Sequence, residues 1–417
     1  MVPKIHYHSQ AQFFSGAENM LVNFLSSQQL RNKFDVSFSY LYSKKYTEGL
    51  NQRIKLEIPV YPLHFPEPSA LIPTPKYRFN FLKRVIEFFS RIIFSFPVII
   101  YEIWVLRKIF RDIQPDILHI NNAGYPAALS ARIAAIAAQL AGVPHTVMVV
   151  NNMAVGYRRP SRWFNYPLDR LVANSVSIFV TGSTVASQKL KKVLRLDSAS
   201  CMVIHNGITF RNAVEEKLKV RERLGLDYFD GVVFGVVAIL RHNKGHQVLL
   251  NALLKLLKES KDNLSNIKIM VEGDGPIAGY LKSFVIENQL SKYCIFIGNE
   301  KNVRDFIQMV DVIILPSISN EDFPNIILEA MGLGKAVIAS RLAGTPEQVV
   351  DGETGLLVTG GDSEQLALAI EMLSLNKQLR IQMGQAGLRR FDKFFTSEVS
   401  VKNYITLYQS LIETKTI

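Results

Sequence analysis

The feature that most constrains the fold is a repeated alternation of short apolar runs with helix-like segments. In one clear repeat, the run Val312–Leu315 ends at Pro316 and Ser317 and is followed by a polar loop. A helix comes next, with Pro324 in its first turn and apolar side chains recurring on one side. A second apolar run, Ala336–Ser340, follows that helix. Strands and helices in this order predict parallel α/β sheets with ligand sites at the carboxyl ends of the strands.

Two glutamates mark this loop and helix: Glu321 lies in the loop and Glu329 lies in the helix. A helix N-terminus at the end of a parallel strand presents free N–H groups to an anion, typically a phosphate. A carboxylate beside that anion is repelled unless it accepts hydrogen bonds from neutral hydroxyls, which sugars and riboses supply. A nucleotide-sugar meets both demands, and a solvated acidic helix start is the alternative. Asp322, three residues before Asn325, is predicted to cap the free N–H groups.

The stretch from Ile313 to Gly355 resembles the donor-binding signature of the large GT-B family of retaining glycosyltransferases often called family 4. The matching residues are a Pro-Ser, a Glu, a Phe-Pro, a Leu-Glu-Ala-Met and a Gly, followed by Gly-Thr-Pro-Glu347. The resemblance implies an α/β fold with two Rossmann-like domains facing across a cleft and a C-terminal helix returning to the first domain. The expected domains are residues 1–208 for the acceptor, residues 209–395 for the nucleotide-sugar, and the helix at 396–417.

The resemblance also implies roles for single residues. Glu321 takes the place beside the transferred sugar, and Glu329 takes the place that holds the ribose. Asp322 stands where the family usually has glycine. The remaining residues expected to bind the donor are Phe323, Pro324, Asn325, Gly16, Gly298, Asn299 and Val303, of which the Gly298–Val303 loop is expected to border the base.

Cations are expected to stabilise the negative charge of the leaving diphosphate. Arg241 and Lys244 lie in a loop between a predicted strand and a predicted helix, where they suit a diphosphate whose negative charge grows in the transition state. The family usually carries an arginine at the position of Ile239, and Arg241 is expected to replace it. Solvated surface charge is the alternative interpretation of this pair.

Two polar residues of the first half also match family positions. Asn151 follows a predicted strand at a place where many members carry a histidine near the transferred sugar. An asparagine there donates or accepts hydrogen bonds but does not act as a base. His119 matches a position that is commonly histidine and is assigned to the acceptor side, with a structural histidine as the alternative.

The net charge of +12 is concentrated in the first half of the chain. Residues 1–210 hold 24 Lys and Arg against 11 Asp and Glu, which predicts an acidic partner for that half. The segment 76–111 is basic and aromatic but too interrupted to span a bilayer, and it predicts an amphipathic helix pair at an anionic membrane surface. A helix buried against the sheet is the alternative. The basic residues expected at the acceptor or the membrane are Arg84, Arg91, Arg158, Arg159 and Arg162.

Other observations limit the cofactors and the compartment. Cys201 and Cys294 lie far apart in strand-like runs, so neither a disulfide framework nor a metal cluster is predicted. No Asp-x-Asp type of acidic metal cluster is evident, and no cofactor is expected beyond a UDP- or GDP-linked sugar as substrate. The first residues do not resemble a signal segment. A cytoplasmic protein on the inner face of the membrane is therefore expected, with no nucleic-acid partner.

Together these features predict a retaining glycosyltransferase that moves a sugar from a nucleoside-diphosphate sugar to a membrane-associated glycan or glycolipid acceptor, such as a lipid-linked or lipopolysaccharide-type glycan. The main alternative is a degenerate GT-B protein that acts as a basic scaffold on membranes or polyanions. Asp322, Ile239 and Asn151 favour that alternative because they depart from the family pattern. A sugar phosphorylase or nucleotide-sugar epimerase of the same architecture is a further alternative.

Overall fold

The computed structural model describes residues 2–11, 16–54, 57–65, 80–158, 160–259, 266–319 and 321–414; at 16–17, 80–95, 160–161 and 259 it describes the backbone alone. The chain divides into two compact units. The first unit comprises Met1–Thr181, Ser187–Ile204 and Val401–Ile417, and the second comprises Gly182–Ala186 and His205–Ser400.

The first unit is built on a seven-stranded parallel sheet with the order β3-β2-β1-β4-β5-β6-β7. The central strand β1 pairs in parallel with β2 on one side and with β4 on the other. In this register Ile5 lies beside Val36 and Ile117. The reversal of strand order therefore falls between β1 and β4, where ligands of such sheets bind. The strands are β1 Lys4–Ser9, β2 Asp35–Leu41, β3 Val60–Leu63, β4 Ile117–Asn122, β5 His145–Val150, β6 Ile178–Thr181 and β7 Cys201–Val203.

Helices connect these strands and cover both faces of the sheet. Ser27 and Ser43 begin two of them by accepting hydrogen bonds from backbone N–H groups, and Gly142 ends another in the left-handed conformation. The helices that belong wholly or mainly to this unit are α1 Gly16–Ser26, α2 Gln28–Arg31, α3 Lys44–Arg53, α4 Asn80–Ile113, α5 Leu129–Ala141, α6 Pro160–Trp163, α7 Tyr166–Ser175 and α8 Thr184–Leu194.

The predicted helix pair in segment 76–111 is a single helix from residue 80 onward. Helix α4 has 34 residues and continues through Pro97, which costs one backbone hydrogen bond without ending the helix. Its second half packs Val98, Leu106 and Phe110 inward, while Phe96 and Trp104 are exposed. Residues 76–79 lie outside the described residues.

Aromatic side chains fill the core on the opposite face of the first sheet. The rings of Tyr7 and Phe24 stack with their centroids 6.0 Å apart, and Phe24 also meets Tyr404 edge-on at 4.7 Å. Tyr404 belongs to the last helix of the described residues, α17 Ser397–Glu413. This helix passes from the second unit to the first at Val401, because its later residues pack in the aromatic core.

The second unit has a six-stranded parallel sheet with the order β10-β9-β8-β11-β12-β13. Its strand order reverses between β8 and β11, the same topological position as in the first unit. The strands are β8 Val232–Val237, β9 Ile267–Glu272, β10 Cys294–Gly298, β11 Val312–Leu315, β12 Ala336–Ser340 and β13 Leu356–Val358. The helices are α9 Lys217–Arg223, α10 His246–Glu259, α11 Ala278–Glu287, α12 Val303–Met309, α13 Asn325–Gly332, α14 Thr345–Gln348, α15 Ser363–Leu375 and α16 Lys377–Phe394, with a short 3-10 turn at His242–Lys244.

The strands of the second unit are short apolar runs because both faces of its sheet are covered. All four residues of β11 and all five of β12 are buried. The prediction of two Rossmann-like parallel α/β units is confirmed, and both cysteines lie buried in strands, as predicted. Among the described residues, no helix is both long enough and apolar enough to cross a bilayer.

Candidate functional site

The central feature of the candidate site is an ion pair at the carboxyl edge of the second sheet. Lys244, at the end of the turn after β8, places Nζ 2.5 Å from Oε1 of Glu321, which follows the neighbouring strand β11. The hydroxyl of Ser317 donates to the same carboxylate oxygen at 2.7 Å. Glu321 is buried and Lys244 is partly exposed. The topological reversal of this sheet therefore holds one carboxylate and one cation in direct contact.

Gly245 brings the two loops of this site together. Its φ is +72°, and a Cβ there would lie 1.8 Å from the carbonyl oxygen of Pro316. No other residue allows the turn after β8 to approach the end of β11 so closely. The N–H of Ile318 donates to the carbonyl of Asn243 at 2.9 Å and joins the same two loops. The backbone thus fixes the distance between Lys244 and the loop that carries Glu321.

Asp322 does not cap helix α13, so that prediction is wrong. Pro324 occupies the N-cap position, and no side chain caps the helix among the described residues. The Asp322 carboxylate instead accepts a hydrogen bond from the hydroxyl of Ser183, which belongs to the segment Gly182–Ala186. Asp322 is buried. Asp322 is not among the residues with positive φ in the described chain, so its backbone does not require the glycine of the family.

Burial controls the ionisation of Asp322. The pKa of its carboxyl is raised from 3.8 to about 6. Desolvation is the largest cause and the nearby carboxylates of Glu347 and Glu321 add to it, whereas the hydrogen bond from Ser183 and the charge of His205 oppose the rise. Oδ2 of Asp322 is buried and has no hydrogen-bond partner among the described residues. A carboxylate with one unsatisfied buried oxygen is costly, and such groups concentrate at functional sites.

The other residues of the loop after β11 have different surroundings. The ring of Phe323 stacks on His205 with centroids 4.9 Å apart and also meets Phe395, so its side chain belongs to the core. Asn325 is the first residue of α13, and its Oδ1 is buried without a partner in the described chain. Pro324 and Asn325 thus lie at the uncapped start of the helix, where free N–H groups suit an anion.

Glu329 lies one turn into α13, where burial raises the pKa of its carboxyl. The charge of Arg304 opposes this rise, and the carboxylate of Glu272 adds to it. Glu272 ends strand β9 and accepts a hydrogen bond from the N–H of Glu300 at 3.1 Å. Sequence reasoning missed Glu272 and Arg304. Their positions, at the end of a strand and at the start of a helix, were visible in the sequence, but their nearness to Glu329 depends on the strand order.

The Gly298–Val303 loop is held at the same edge of the sheet. Gly298 has a φ of +75°, and its carbonyl accepts a hydrogen bond from Gly273 at 2.8 Å. Asn302 caps helix α12, which begins at Val303. Asn299 lies between these anchored positions. The loop therefore has a fixed backbone beside the group formed by Glu272, Arg304 and Glu329, and its role toward a base stays a prediction.

Arg241 and Ile239 lie at the end of β8 and are both exposed. The guanidinium of Arg241 has no hydrogen bond or ion pair within the described part of the chain. Among the two predicted cations, only Lys244 contacts a site carboxylate. The replacement of the family arginine by Arg241 stays a prediction.

In the first unit, Asn151 lies at the carboxyl edge of the sheet, directly after β5. Its Nδ2 donates to Oδ1 of Asn121 at 2.8 Å and to the carbonyl of Asn122 at 3.2 Å. Gly16 begins helix α1 near the same edge, and Glu18 in its first turn is buried. Sequence reasoning did not predict the hydrogen bonds that join Asn121 to Asn151 and to Glu18.

His119 is a core residue, which corrects its assignment to the acceptor side. It is fully buried, its Nδ1 lies 2.7 Å from the hydroxyl of Tyr408, and its ring lies 4.7 Å from that of Tyr7. Burial lowers the pKa of the imidazole to about 3, so His119 is neutral at physiological pH. The structural interpretation of this histidine is therefore the correct one.

Arg162 is also structural, which corrects its assignment to the acceptor or the membrane. It is buried, it contacts Asp169 at 2.5 Å, and its guanidinium lies over the ring of Tyr157 at 4.5 Å. Arg158 is exposed in the preceding loop. Arg159 lies outside the described residues, as do the side chains of Arg84 and Arg91, whose backbone belongs to α4.

Two family models match the chain and together cover most of it. The model described as "Glycosyltransferase Family 4" matches residues 55–211, and the model described as "Glycosyl transferases group 1" matches residues 231–376. The N-acetyl-alpha-D-glucosaminyl L-malate synthase of Bacillus anthracis is 29% identical over 180 residues, which are 42% of this chain and 45% of that protein. This chain therefore aligns with less than half the length of that curated relative.

The capsular polysaccharide biosynthesis glycosyltransferase CapM of Staphylococcus aureus is 25% identical over 315 residues, which are 70% of this chain and 77% of CapM. The crystal structure of Anabaena Alr3699/HepE in complex with UDP covers 98% of this chain and 100% of its own, with a TM-score of 0.75 and 19% identity. At that identity the likeness establishes the fold alone, which is the GT-B fold. With family models matching both halves and the GT-B architecture in place, the chain belongs to the group 1 glycosyltransferases of family 4.

Proposed function

We propose that this protein is a retaining glycosyltransferase that moves a sugar from a UDP- or GDP-linked donor to a glycan or glycolipid acceptor. The observation that carries the proposal is the contact between Lys244 and Glu321 at the reversal of the second sheet, next to the uncapped start of α13. The donor is the substrate, and the reaction uses no further cofactor.

The chemistry of the site fits transfer from a nucleoside diphosphate. The leaving diphosphate gains negative charge as the glycosidic bond breaks, and the ammonium of Lys244 together with the free N–H groups of α13 stabilises that charge. Glu321 holds Lys244 in place and offers its carboxylate to sugar hydroxyls. Glu329 is the corresponding group for the ribose, because a partly buried carboxylate binds best to vicinal hydroxyls that donate to it.

The donor assignment is tested with purified protein and a panel of UDP-, GDP- and ADP-sugars. Thermal stabilisation identifies the donor, and NMR of the product anomer establishes whether configuration is retained. We expect Glu321→Gln to lower kcat at least 100-fold, because the preorganised charge on Lys244 loses its partner. Glu353→Gln changes an exposed acid of the same unit and is the matched control. Inversion of configuration, or equal activity of the two variants, would refute the proposal.

The first unit is proposed to bind an anionic membrane surface, on the inner face of the cytoplasmic membrane. Its sequence carries the entire charge excess of the chain, and it exposes Phe96, Ile100 and Trp104 on α4 together with Trp163 and Phe164 near α6. Aromatic side chains flanked by cations suit the interfacial region of a bilayer. A lipid-linked acceptor, as in the synthesis of bacterial surface polysaccharides, would be presented at that surface.

Sedimentation with vesicles tests the membrane proposal. We expect binding to vesicles containing phosphatidylglycerol at low salt, weaker binding at high salt, and little binding to phosphatidylcholine alone. Trp104→Ser combined with Trp163→Ser should reduce binding several-fold. Tyr228→Ser removes a more exposed aromatic residue from the second unit and should have no effect. Wild-type binding by the double variant would exclude this surface.

The scaffold alternative has one specific observation in its favour, the exposed Ile239 at the position of the family arginine. Slow hydrolysis of the donor by the purified protein separates the two functions, because a scaffold with a degenerate site has no reason to accelerate it. Hydrolysis of no donor in the panel, together with intact vesicle binding, would favour the scaffold.

A further inference from the structure

The Gly-Thr-Pro-Glu347 motif forms the short helix α14, Thr345–Gln348, against the loop that carries Glu321. This motif supplies none of the side chains proposed above to touch the donor. The backbone N–H of Gly344 donates to the carbonyl of Asp322 at 2.8 Å. A Cβ at Gly344 would lie 2.5 Å from that carbonyl oxygen, so a side chain there would push α14 away from the loop.

The side chain of Gln348 holds the start of α13. Gln348 is completely buried, and its Nε2 donates to the carbonyl of Pro324, the N-cap residue of α13, at 3.1 Å. Because a carbonyl only accepts hydrogen bonds, the NH2 end of the Gln348 amide must face the helix. The N–H of Ile327 donates to the same carbonyl at 3.2 Å. Helix α14 therefore contacts the loop on both sides of Phe323, at the carbonyls of Asp322 and Pro324.

Arg390 of helix α16 holds the other end of α14. Its Nε donates to the carbonyl of Gln348 and its Nη2 to the carbonyl of Glu347, both at 2.8 Å. These are the last carbonyls of α14, and a basic side chain satisfies such unpaired acceptors. The same guanidinium lies over the ring of Phe395 at 5.5 Å, and that ring meets the ring of Phe323 at 5.7 Å. Arg390 thus contacts both the helix and the aromatic ring that pack against the loop.

We propose that Arg390 and Gln348 are positioning residues that hold the backbone of residues 321–324 and the first turn of α13 in the geometry that receives the donor diphosphate. This inference rests on the proposed function. Lys244 and Ser317 contact the glutamate carboxylate of this loop, whereas Arg390 and Gln348 act on its backbone. The N–H groups that suit the diphosphate are backbone groups, so their placement depends on the backbone. A displacement of about 1 Å in a site of this kind can cost about 100-fold in rate.

Two variants of Gln348 test its hydrogen bond to the Pro324 carbonyl. Gln348→Met keeps the length of the side chain without a donor and should lower kcat about tenfold at every pH, with a smaller change in the donor KM. Gln348→Glu donates only while its carboxyl is protonated, and burial raises the pKa of that carboxyl. Its kcat should therefore match that of Gln348→Met at high pH and rise toward the wild-type value at low pH. Gln378→Glu, at an exposed glutamine of the second unit, is the control. Wild-type kcat in Gln348→Met, or no advantage of Gln348→Glu at low pH, would refute the role of Gln348.

Two variants of Arg390 test its contact with α14. Arg390→Lys keeps the positive charge, but a single ammonium does not reproduce the fixed fork of a guanidinium that reaches two carbonyls. We expect its kcat to fall about tenfold and that of Arg390→Met to fall further, with smaller changes in the donor KM. Arg389→Met changes an exposed arginine of the same helix and is the matched control, with wild-type kinetics expected. Wild-type kcat in Arg390→Met, or a change in KM alone, would refute the positioning role of Arg390.

Hydrogen exchange in protein labelled with 15N-glycine separates positioning from stability and does not depend on turnover. The Gly344 amide bonds to the Asp322 carbonyl, whereas Gly235 lies in the central strand β8 of the same unit. Arg390→Met should accelerate exchange at Gly344 and leave Gly235 unchanged. Equal acceleration at both glycines would mean that Arg390 only stabilises the unit, and this result, or no acceleration at Gly344, would overturn the inference. Selective acceleration in a protein that transfers no sugar would refute the proposed function and the positioning role with it, although the contact itself would stand.

Discussion

Asp169 of the first unit and Asp322 of the second unit are both buried, and their carboxylates are satisfied in opposite ways. Asp169 in the first unit contacts Arg162 at 2.5 Å and Arg132 at 3.2 Å, and it accepts hydrogen bonds from two tyrosine hydroxyls at 2.9 and 2.6 Å. Asp322 in the second unit accepts from the Ser183 hydroxyl, and its other carboxylate oxygen has no partner among the described residues. Both side chains are almost completely buried.

The difference separates a structural carboxylate from one placed under electrostatic strain. The contacts with Asp169 fix the side chains of Tyr157 and Arg162, and the exposed Trp163 directly follows Arg162. Asp322 has neighbouring carboxylates instead of arginines, and its pKa is raised by desolvation first and by those carboxylates in addition. Natural proteins keep such an unfavourable group mainly where function requires it. Asp322, and not Asp169, therefore has the surroundings expected of a site residue.

The largest effect is expected for Asp169→Asn, which leaves two buried guanidinium groups without their anion. We expect the first unit to lose about 3–5 kcal/mol of stability. Urea unfolding followed by tryptophan fluorescence measures this directly, because both tryptophans, Trp104 and Trp163, belong to the first unit. Asp112→Asn, at an exposed acid of the same unit, should leave stability nearly unchanged. Equal effects of the two substitutions would show that the arginine cluster is not important for folding.

Glu321 lies between the two extremes, since it is buried with a single cation. Lys244→Met removes that cation and is expected to lower kcat about 100-fold, with a smaller change in donor affinity. Lys258→Met, on the exposed side of α10, is the matched control. Steady-state kinetics with the donor identified by thermal stabilisation measures both variants. Wild-type turnover of Lys244→Met would remove Lys244 from the site.

Asp322→Asn should act in the direction opposite to Asp169→Asn. Because the folded pKa of Asp322 is raised from 3.8 to about 6, the native state holds more protons than the unfolded state between these values, and stability falls as pH rises through that window. Asparagine still accepts from Ser183 but does not ionise. We therefore expect the variant to stabilise the second unit by about 2 kcal/mol at pH 7.5 and by almost nothing at pH 4.

Calorimetry at the two pH values measures this effect, and tryptophan fluorescence serves as an internal reference because it reports on the first unit alone. A variant that is less stable than the wild-type protein at pH 7.5 would contradict the assignment of strain to Asp322. A gain of the same size at both pH values would show that the effect does not come from ionisation.

The sequence predicted the α/β architecture well because its strands are continuous apolar runs. Val312–Leu315 and Ala336–Ser340 were bounded correctly, since both faces of the sheet are covered and no alternation obscures them. The position of Lys244 near Glu321 was also predictable, because parallel strands bring successive loops to one edge. These predictions depend on local pattern and on one topological rule.

The sequence could not predict which partner each polar side chain selects. Asp322 has the sequence spacing of a helix cap, but its carboxylate accepts a hydrogen bond from Ser183, which lies 139 residues earlier in the chain. Arg162 resembles a surface cation in a basic loop, and only the fold brings it to Asp169. His119 lies in the core, where its ring nitrogen contacts the hydroxyl of Tyr408 from helix α17. In each case the decisive neighbour is distant in sequence and carries no local signal.

The smallest effect is expected at an ion pair as short as that of Asp169 but exposed to solvent. Arg341 contacts Asp351 at 2.5 Å, with about half of each side chain exposed. Water and salt screen such a pair, so Arg341→Ala should cost less than about 1 kcal/mol and should cost less still at high salt. Calorimetry of the second unit at low and high salt measures the change, with Arg389→Ala as a control at a basic residue without an ion pair in the described chain. A loss as large as that of Asp169→Asn would mean that contact distance, and not burial, determines the strength of the ion pairs in both units.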